Sequence, residues 1–380
     1  MRVAFRTVLA AGRIYTALLL GVVSIALVVP GGRVAFGQGG AGSQRPLYTV
    51  IDLHPSGFKS SEAHGVSGGQ QVGVGYTEVA NREHALLWRG SAASAVDLDP
   101  SGGMEATAVC RGQQVGYGPG PPGTGGGGDA LLWHGSTASV LDLHPRGYDA
   151  SAALGTSGAE QVGWGRREGD NGPDALLWRG TAVSVVDLHP HEFAGSQATG
   201  ISGEEQVGFG WGPSTGGSPH ALLWHGSAAS VVDLHPRGFD ASQAEATFGG
   251  QQVGWGVPAG GSNFPWHALL WQGSAASVVD LNPRGGYHFS QAYGTNGLEQ
   301  VGVGDGHAVL WRSTGASMVD LHTFLPPGFE SSIAFGIDAA GDIVGVAATG
   351  TEQWSPSHAI LWKRNVPEPG TSRGQNTKGC

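Results

Sequence analysis

Residues 220–234 read His-Ala-Leu-Leu-Trp-His-Gly-Ser-Ala-Ala-Ser-Val-Val-Asp-Leu, and the same string with small changes starts at His84, Asp129, Asp174, His267, His307 and His358. Its tryptophans, Trp88, Trp133, Trp178, Trp224, Trp271, Trp311 and Trp362, are separated by 45, 45, 46, 47, 40 and 51 residues. Nine residues after a tryptophan stands the aspartate of a V-x-D-L column, Asp97, Asp142, Asp187, Asp233, Asp280 and Asp320, and Asp52 supplies a seventh ahead of the first tryptophan. Self-similarity at a near-constant period identifies a repeat architecture before any single residue is considered.

Two more patches recur between these strings. One is S-x-A, as in Ser196-Gln197-Ala198, and the other is Q-V-G-x-G, as in Gln206 to Gly210. Each patch is short, rich in Val, Leu, Trp and Ala, and bounded by Gly, Pro, Ser or Asp, which is the signature of a strand. Four short strands in about 45 residues match a propeller blade. Coils of a parallel β-helix are much shorter, and 68 glycines are incompatible with a helical repeat. The fold expected is all-β: a seven-bladed propeller of four-stranded blades over residues 47–364. The short link from HALLW to V-D-L makes those two strands a hairpin, while the Pro/Gly segment that follows suits a crossover between blades. Each blade therefore runs S-x-A, Q-V-G, HALLW, V-D-L. The opening strand, Tyr48 to Leu53, is left without a partner of its own, and it is expected to close the ring against His358 to Trp362.

Glycine and proline together approach the level of a disordered chain, but 40% hydrophobic residues and twelve tryptophans supply the surface for a folded core. A net charge of −10, with no basic cluster, argues against nucleic acid. Cys110 and Cys380 are too few for a disulfide scaffold, and Cys110 reads as a small buried residue. Arg2, Arg6 and Arg13 precede an uncharged stretch from Ile14 to Val29 and the small residues Ala35 and Gly37. Residues 1–37 are therefore expected to be a signal peptide or an N-terminal membrane anchor, 38–46 a linker and 365–380 a disordered tail.

The seven tryptophans read as core between sheets. The HALLW histidines and the V-D-L aspartates invite a metal reading, because both side chains ligate divalent cations. Asp129 and Asp174 interrupt the histidine column, however, and one pair per blade does not converge with the next. A buried hydrogen-bonded pair within each blade, with a serine of S-x-A, is the better reading; it resembles the His, Ser/Thr, Asp and Trp network of WD40 propellers in a different order. A second histidine column, His54, His144, His189, His235 and His322, falls in the crossovers and offers a pH-sensitive face. No metal, cofactor or catalytic motif is expected. Function is expected in departures from the repeat: Tyr76, Trp211, Trp266 and Trp354 in the variable loops are the candidate ligand-binding residues, whereas Trp164, Phe209 and Trp255 are assigned to sheet packing. Glu78, Glu168 and Asp170 are the loop acids to compare with the carboxylate spacing of glycosidases.

Together the four patches, S-x-A-x-G-I, G-x-Q-V-G, H-A-[LIV]-L-W and D-L, resemble the HAF repeat family of bacterial extracellular proteins, over residues 47–364. Leu, Val or Ile stands where that family has phenylalanine. The resemblance implies secretion and a β-rich fold, with no established activity. The segment Val366 to Thr371 resembles the opening of a PEP-CTERM sorting signal, but the residues that follow, Ser372 to Cys380, are polar where such a signal has a hydrophobic helix. The resulting expectation is an exported, monomeric, non-catalytic binding or surface-scaffold module for an extracellular glycan or protein, secreted, at the cell surface or in the periplasm. The rival expectation is a propeller enzyme acting on extracellular polysaccharide from one rim.

Overall fold

A computed structural model describes residues 47–365, except 79–81, 120–127, 171, 261–265, 284–286 and 351–354. Seven separate four-stranded antiparallel sheets make up the described chain. In the first blade the strands are Ser60–Ser67, Gln70–Tyr76, Glu83–Trp88 and Val96–Asp97, paired in that order. The S-x-A strands of all seven blades, Ser60–Ser67, Glu105–Cys110, Tyr148–Thr156, Gly195–Ser202, Phe239–Phe248, Ser290–Thr295 and Ser331–Ile337, each neighbour the S-x-A strands on either side, and so they form the inner ring around the axis.

The ring closes as the strand count requires. Tyr48–Asp52 pairs antiparallel with Ser357–Arg364, with Val50 opposite Trp362 and Asp52 opposite Ile360, and so becomes the outer strand of blade seven. The seam is locked by charge as well as by the ladder. The carboxylate of Glu299 in blade six is buried and takes Nε of Arg312 at 3.1 Å and the guanidinium of Arg364, which also donates to the Tyr48 hydroxyl.

Alternation along each HALLW strand fills two interfaces at once. In blade four, Leu222 and Trp224 pack toward blade three, while Ala221 and Leu223 pack toward blade five. All seven repeat tryptophans are 0% exposed. Only the Trp362 indole N–H reaches an acceptor, the Leu321 carbonyl at 3.1 Å. The tryptophans therefore contribute mainly through packing between blades, a large apolar burial per residue.

Glycine in Q-V-G has a steric cause. Each inner strand carries a bulge just after its S-x-A alanine, which turns the carbonyl of the x residue toward the second strand. A Cβ on Gly208 would lie 1.9 Å from the Gln197 oxygen, and the equivalent glycines of the other six blades are equally confined. The glutamine of the patch has a role too: Gln206 accepts the Gly226 N–H at 2.7 Å, pinning the turn between the third and outer strands to the second strand, and the bond is present in six blades in all.

A Gly208→Ala substitution should cost about 2–3 kcal/mol, since backbone rather than a flexible side chain must give way. Trp224→Ala should cost about 3–5 kcal/mol through the cavity it leaves. Urea unfolding of the two variants beside the parent chain checks both.

Candidate functional site

The V-D-L aspartate starts the crossover at the upper rim of every blade, where crossovers and variable loops lie, and in five blades it has a second partner. One oxygen accepts the backbone N–H two residues on and starts the crossover, in all seven copies at 2.7–2.9 Å. Its other oxygen holds the HALLW histidine: His84 with Asp97, His220 with Asp233, His267 with Asp280, His307 with Asp320 and His358 with Asp52, at 2.7–3.0 Å. His84 is buried, while the other histidines and the aspartates of these pairs are partly exposed. The S-x-A serine is not attached to the first histidine column. Ser61, Ser151, Ser196, Ser242 and Ser332 each meet Nδ1 of a crossover histidine at 2.8–2.9 Å and accept the N–H of the HALLW alanine. The crossover histidines are thus structural joints between blades. Among the described residues no group of three or more His, Cys, Asp or Glu side chains is arranged to hold a metal ion.

A different set of residues meets at the axis. The x of S-x-A and the bulged residue two positions later occupy the inner ring, and they vary from blade to blade: Glu62 and His64, Glu105 and Thr107, Ala152 and Leu154, Gln197 and Thr199, Gln243 and Glu245, Gln291 and Tyr293, Ile333 and Phe335. His64 bridges two blades, with Nδ1 3.2 Å from Glu105 Oε1 and Nε2 3.5 Å from Glu62 Oε2. Tyr117 Oη donates to Glu105 Oε2 at 2.7 Å. Across the ring Trp255 Nε1 donates to Glu245 Oε1 at 3.0 Å. Phe335 joins the two sides, its ring 5.4 Å from His64 and 5.8 Å from Tyr293.

Charge on this ring follows from those contacts. Burial alone would lower the His64 pKa, but the hydrogen bonds it donates to Glu105 and Glu62 and their charges outweigh it and raise the value to about 10. The imidazole is therefore a cation at neutral pH, spanning two acids. Burial raises Glu245 to about 7 against the pull of the Trp255 N–H, so this carboxyl exchanges its proton near neutrality. Burial, then nearby carboxylates, holds Tyr76, Tyr117 and Tyr293 above the ordinary tyrosine range, and all three remain neutral donors.

The structure sorts the expected ligand-binding residues. Tyr76 ends the second strand of blade one beside Glu62 and Glu105. Trp211 stacks on Phe209 at 5.8 Å and covers Gly195 at the upper end of the inner strand. Trp266 lies 6.1 Å from Trp255. These three lie at the upper ends of the strands; Trp354 lies outside the described residues, as do 1–37, 38–46 and 366–380. Phe209 and Trp255, assigned to sheet packing, belong to the axial set instead, because the bulge places the x of Q-V-G-x-G opposite the x of S-x-A. Trp164 is opposite Ala152 in the same way. The loop acids Glu78, Glu168 and Asp170 are exposed and separate from it. Cys110 is buried, as expected, and is disulfide-bonded. Reading the sequence missed the acids of the axis, although the signal was present: two variable positions inside an otherwise repeated strand.

Away from the axis, a hollow of about 440 Å³ opens on the rim where Asp174 replaces the histidine. There Arg167 spans Asp174, Nε to Oδ2 at 2.7 Å, and Asp187, Nη2 to Oδ2 at 2.5 Å.

No protein-family model and no curated protein matches the sequence. Solved structures match the fold. A puromycin-hydrolyzing peptidase of Mycobacterium tuberculosis is similar at 13% identity and a TM-score of 0.53, over 86% of this chain and 57% of that one. The β-propeller domain of the Trilobed protease of Pyrococcus furiosus, described as having an open velcro topology, is similar at 9% identity and 0.50, over 82% and 100%. TolB of Acinetobacter baumannii is similar at 11% and 0.43, over 70% and 64%. The chain thus spans about half to two thirds of the peptidase and of TolB. At these identities the likeness concerns the propeller fold alone.

His64 should keep its proton at neutral pH. Because its folded pKa lies above the unfolded 6.5, its contribution to stability is full below pH 6.5 and is lost as the pH rises through about 10. Glu105→Gln should lower its titration midpoint by about one pH unit or more. Proton NMR of the imidazole across that range measures both.

Proposed function

We propose that this chain is an exported, non-catalytic binding propeller that receives a hydroxyl-rich ligand, a neutral or amino-bearing glycan, over the upper end of its axis. The observation that carries the reading is the convergence there of the residues that depart from the repeat. Gln197, Gln243 and Gln291 offer both amide donors and acceptors, and Glu62, Glu105 and Glu245 offer carboxylates. Tyr76, Trp211 and Trp266 add flat apolar faces with polar edges at the opening. A few oriented polar groups among aromatic surfaces are what small-ligand sites are built from. The seven inner strands contain neither lysine nor arginine, which disfavours polyanionic sugars. Export rests on residues 1–37, and the HAF-type repeat is consistent with it.

A polysaccharide-cleaving enzyme is the second reading, favoured by one observation: Glu245, a carboxyl near neutrality, faces the same ring as Glu62 and Glu105. Against it, Glu62 and Glu105 are both engaged by one imidazole.

A screen of neutral, amino and acidic glycans against the full chain tests the proposal. Saturable binding to the first two classes, weakened roughly tenfold or more in Trp211→Ala, Trp266→Ala or Gln243→Ala, is the expected result. Preference for acidic glycans, or no dependence on those side chains, would reject it. Cleavage products that disappear in Glu245→Gln would replace it with the enzyme reading.

A further inference from the structure

The five joints that carry a crossover histidine are of two kinds. At three of them a HALLW histidine stacks on the crossover histidine: His358 on His54 at 4.3 Å between blades seven and one, His220 on His235 at 3.8 Å between four and five, and His307 on His322 at 4.1 Å between six and seven. At two others an aspartate stands in place of the first ring: Asp129 is 3.1 Å from His144, and Asp174 is 3.7 Å from His189.

Proton placement in a stacked joint follows from its neighbours. The serine hydroxyl already accepts a backbone N–H, so its own hydrogen points to Nδ1 of the crossover histidine. Nε2 of the same ring faces a backbone carbonyl, Phe239 at 3.1 Å for His235, and Phe58 and Phe329 for His54 and His322. The crossover ring is therefore neutral, accepting at Nδ1 and donating at Nε2. A second proton displaces the serine hydrogen and sets a cation against the neighbouring imidazole. Burial, and then the facing histidine, accordingly lower the pKa of His54, His235 and His322. The charged groups around them are Asp52 at the first joint, Asp233 and Asp240 at the second and Asp320 at the third; these pull the other way and are outweighed. With folded pKa values below the unfolded 6.5, the joints hold fully above that pH and weaken as the pH falls beneath it. In the aspartate joints the crossover imidazole faces a carboxylate oxygen instead of a second imidazole.

Two of the three stacked joints flank blade seven, the blade that Tyr48–Asp52 closes by strand pairing. We infer that mild acid selectively loosens blade seven, and less consequentially the joint of blades four and five, so that the stacked histidines make ring closure, and with it the upper rim, responsive to pH.

Hydrogen exchange of the full chain at about pH 7.5 and 5.5, corrected for the intrinsic exchange rate, tests this. Peptides over 48–53 and 358–364 should open about threefold or more in acid, while those over 129–133 and 174–178 should not. Uniform loosening, or none in blade seven, would overturn the inference. Asn282 already occupies the crossover position in blade five and takes the Ser290 hydroxyl at 2.7 Å, so His54→Asn with His322→Asn copies a native joint. This variant should lose the acid response, as should His307→Asp at its own joint by copying the Asp129 arrangement. Persistence of the response in either would also overturn the inference, and the pattern across peptides in the unmodified chain decides it should a variant fail to fold.

Discussion

Seven inner strands can surround one axis only where the backbone of each lies against the backbone of the next. That close approach is the constraint on which the rest of this propeller depends. A Cβ on Gly200 would lie 2.8 Å from the Glu245 carbonyl of the following blade, and one on Gly294 would lie 3.0 Å from that of Phe335. The bulge beside each of these glycines makes the approach, and it also forces a second glycine into the neighbouring strand. Glycine abundance, which on composition alone resembles disorder, here follows from packing at the centre of a ring.

That bulge also builds the candidate site. It turns one residue per blade out of the regular pleat and into the axial ring, where neither the sheet ladder nor the core between blades dictates its identity. Six of seven blades keep the glutamine, the tryptophan and the aspartate that fold them, yet no two neighbouring blades carry the same pair of axial residues. Scaffold and site thus occupy adjacent positions of the same strand, separated by the direction in which the side chain leaves it.

The architecture was legible from the sequence because each strand type carries its own repeated cause. Tryptophan fills the space between sheets, aspartate starts the crossover, and the unpaired Tyr48 strand could go only to the last blade. The hydrogen-bond partners were less legible. His54 and its equivalents read as loop residues, because nothing in a linear string shows that the next blade's serine comes back to them. The axial acids were overlooked for a related reason: a variable position within a strand looks like drift until the strand is known to be the innermost. Tyr76, Trp211 and Trp266 stand out in the string as loop aromatics, whereas Trp255 has neighbours that read as core.

Closing blade seven with the chain's own opening strand fixes where the polypeptide enters and leaves. Tyr48 pairs with Arg364 at the lower rim, and the Asn365 N–H donates to the Leu47 carbonyl at 3.1 Å, so the two exits stand side by side. Crossovers, long loops and the aromatic opening occupy the opposite rim. A leash attached at either exit, to a membrane, a wall or a neighbouring domain, therefore suspends the disc from a single point on its underside, with the open face turned outward.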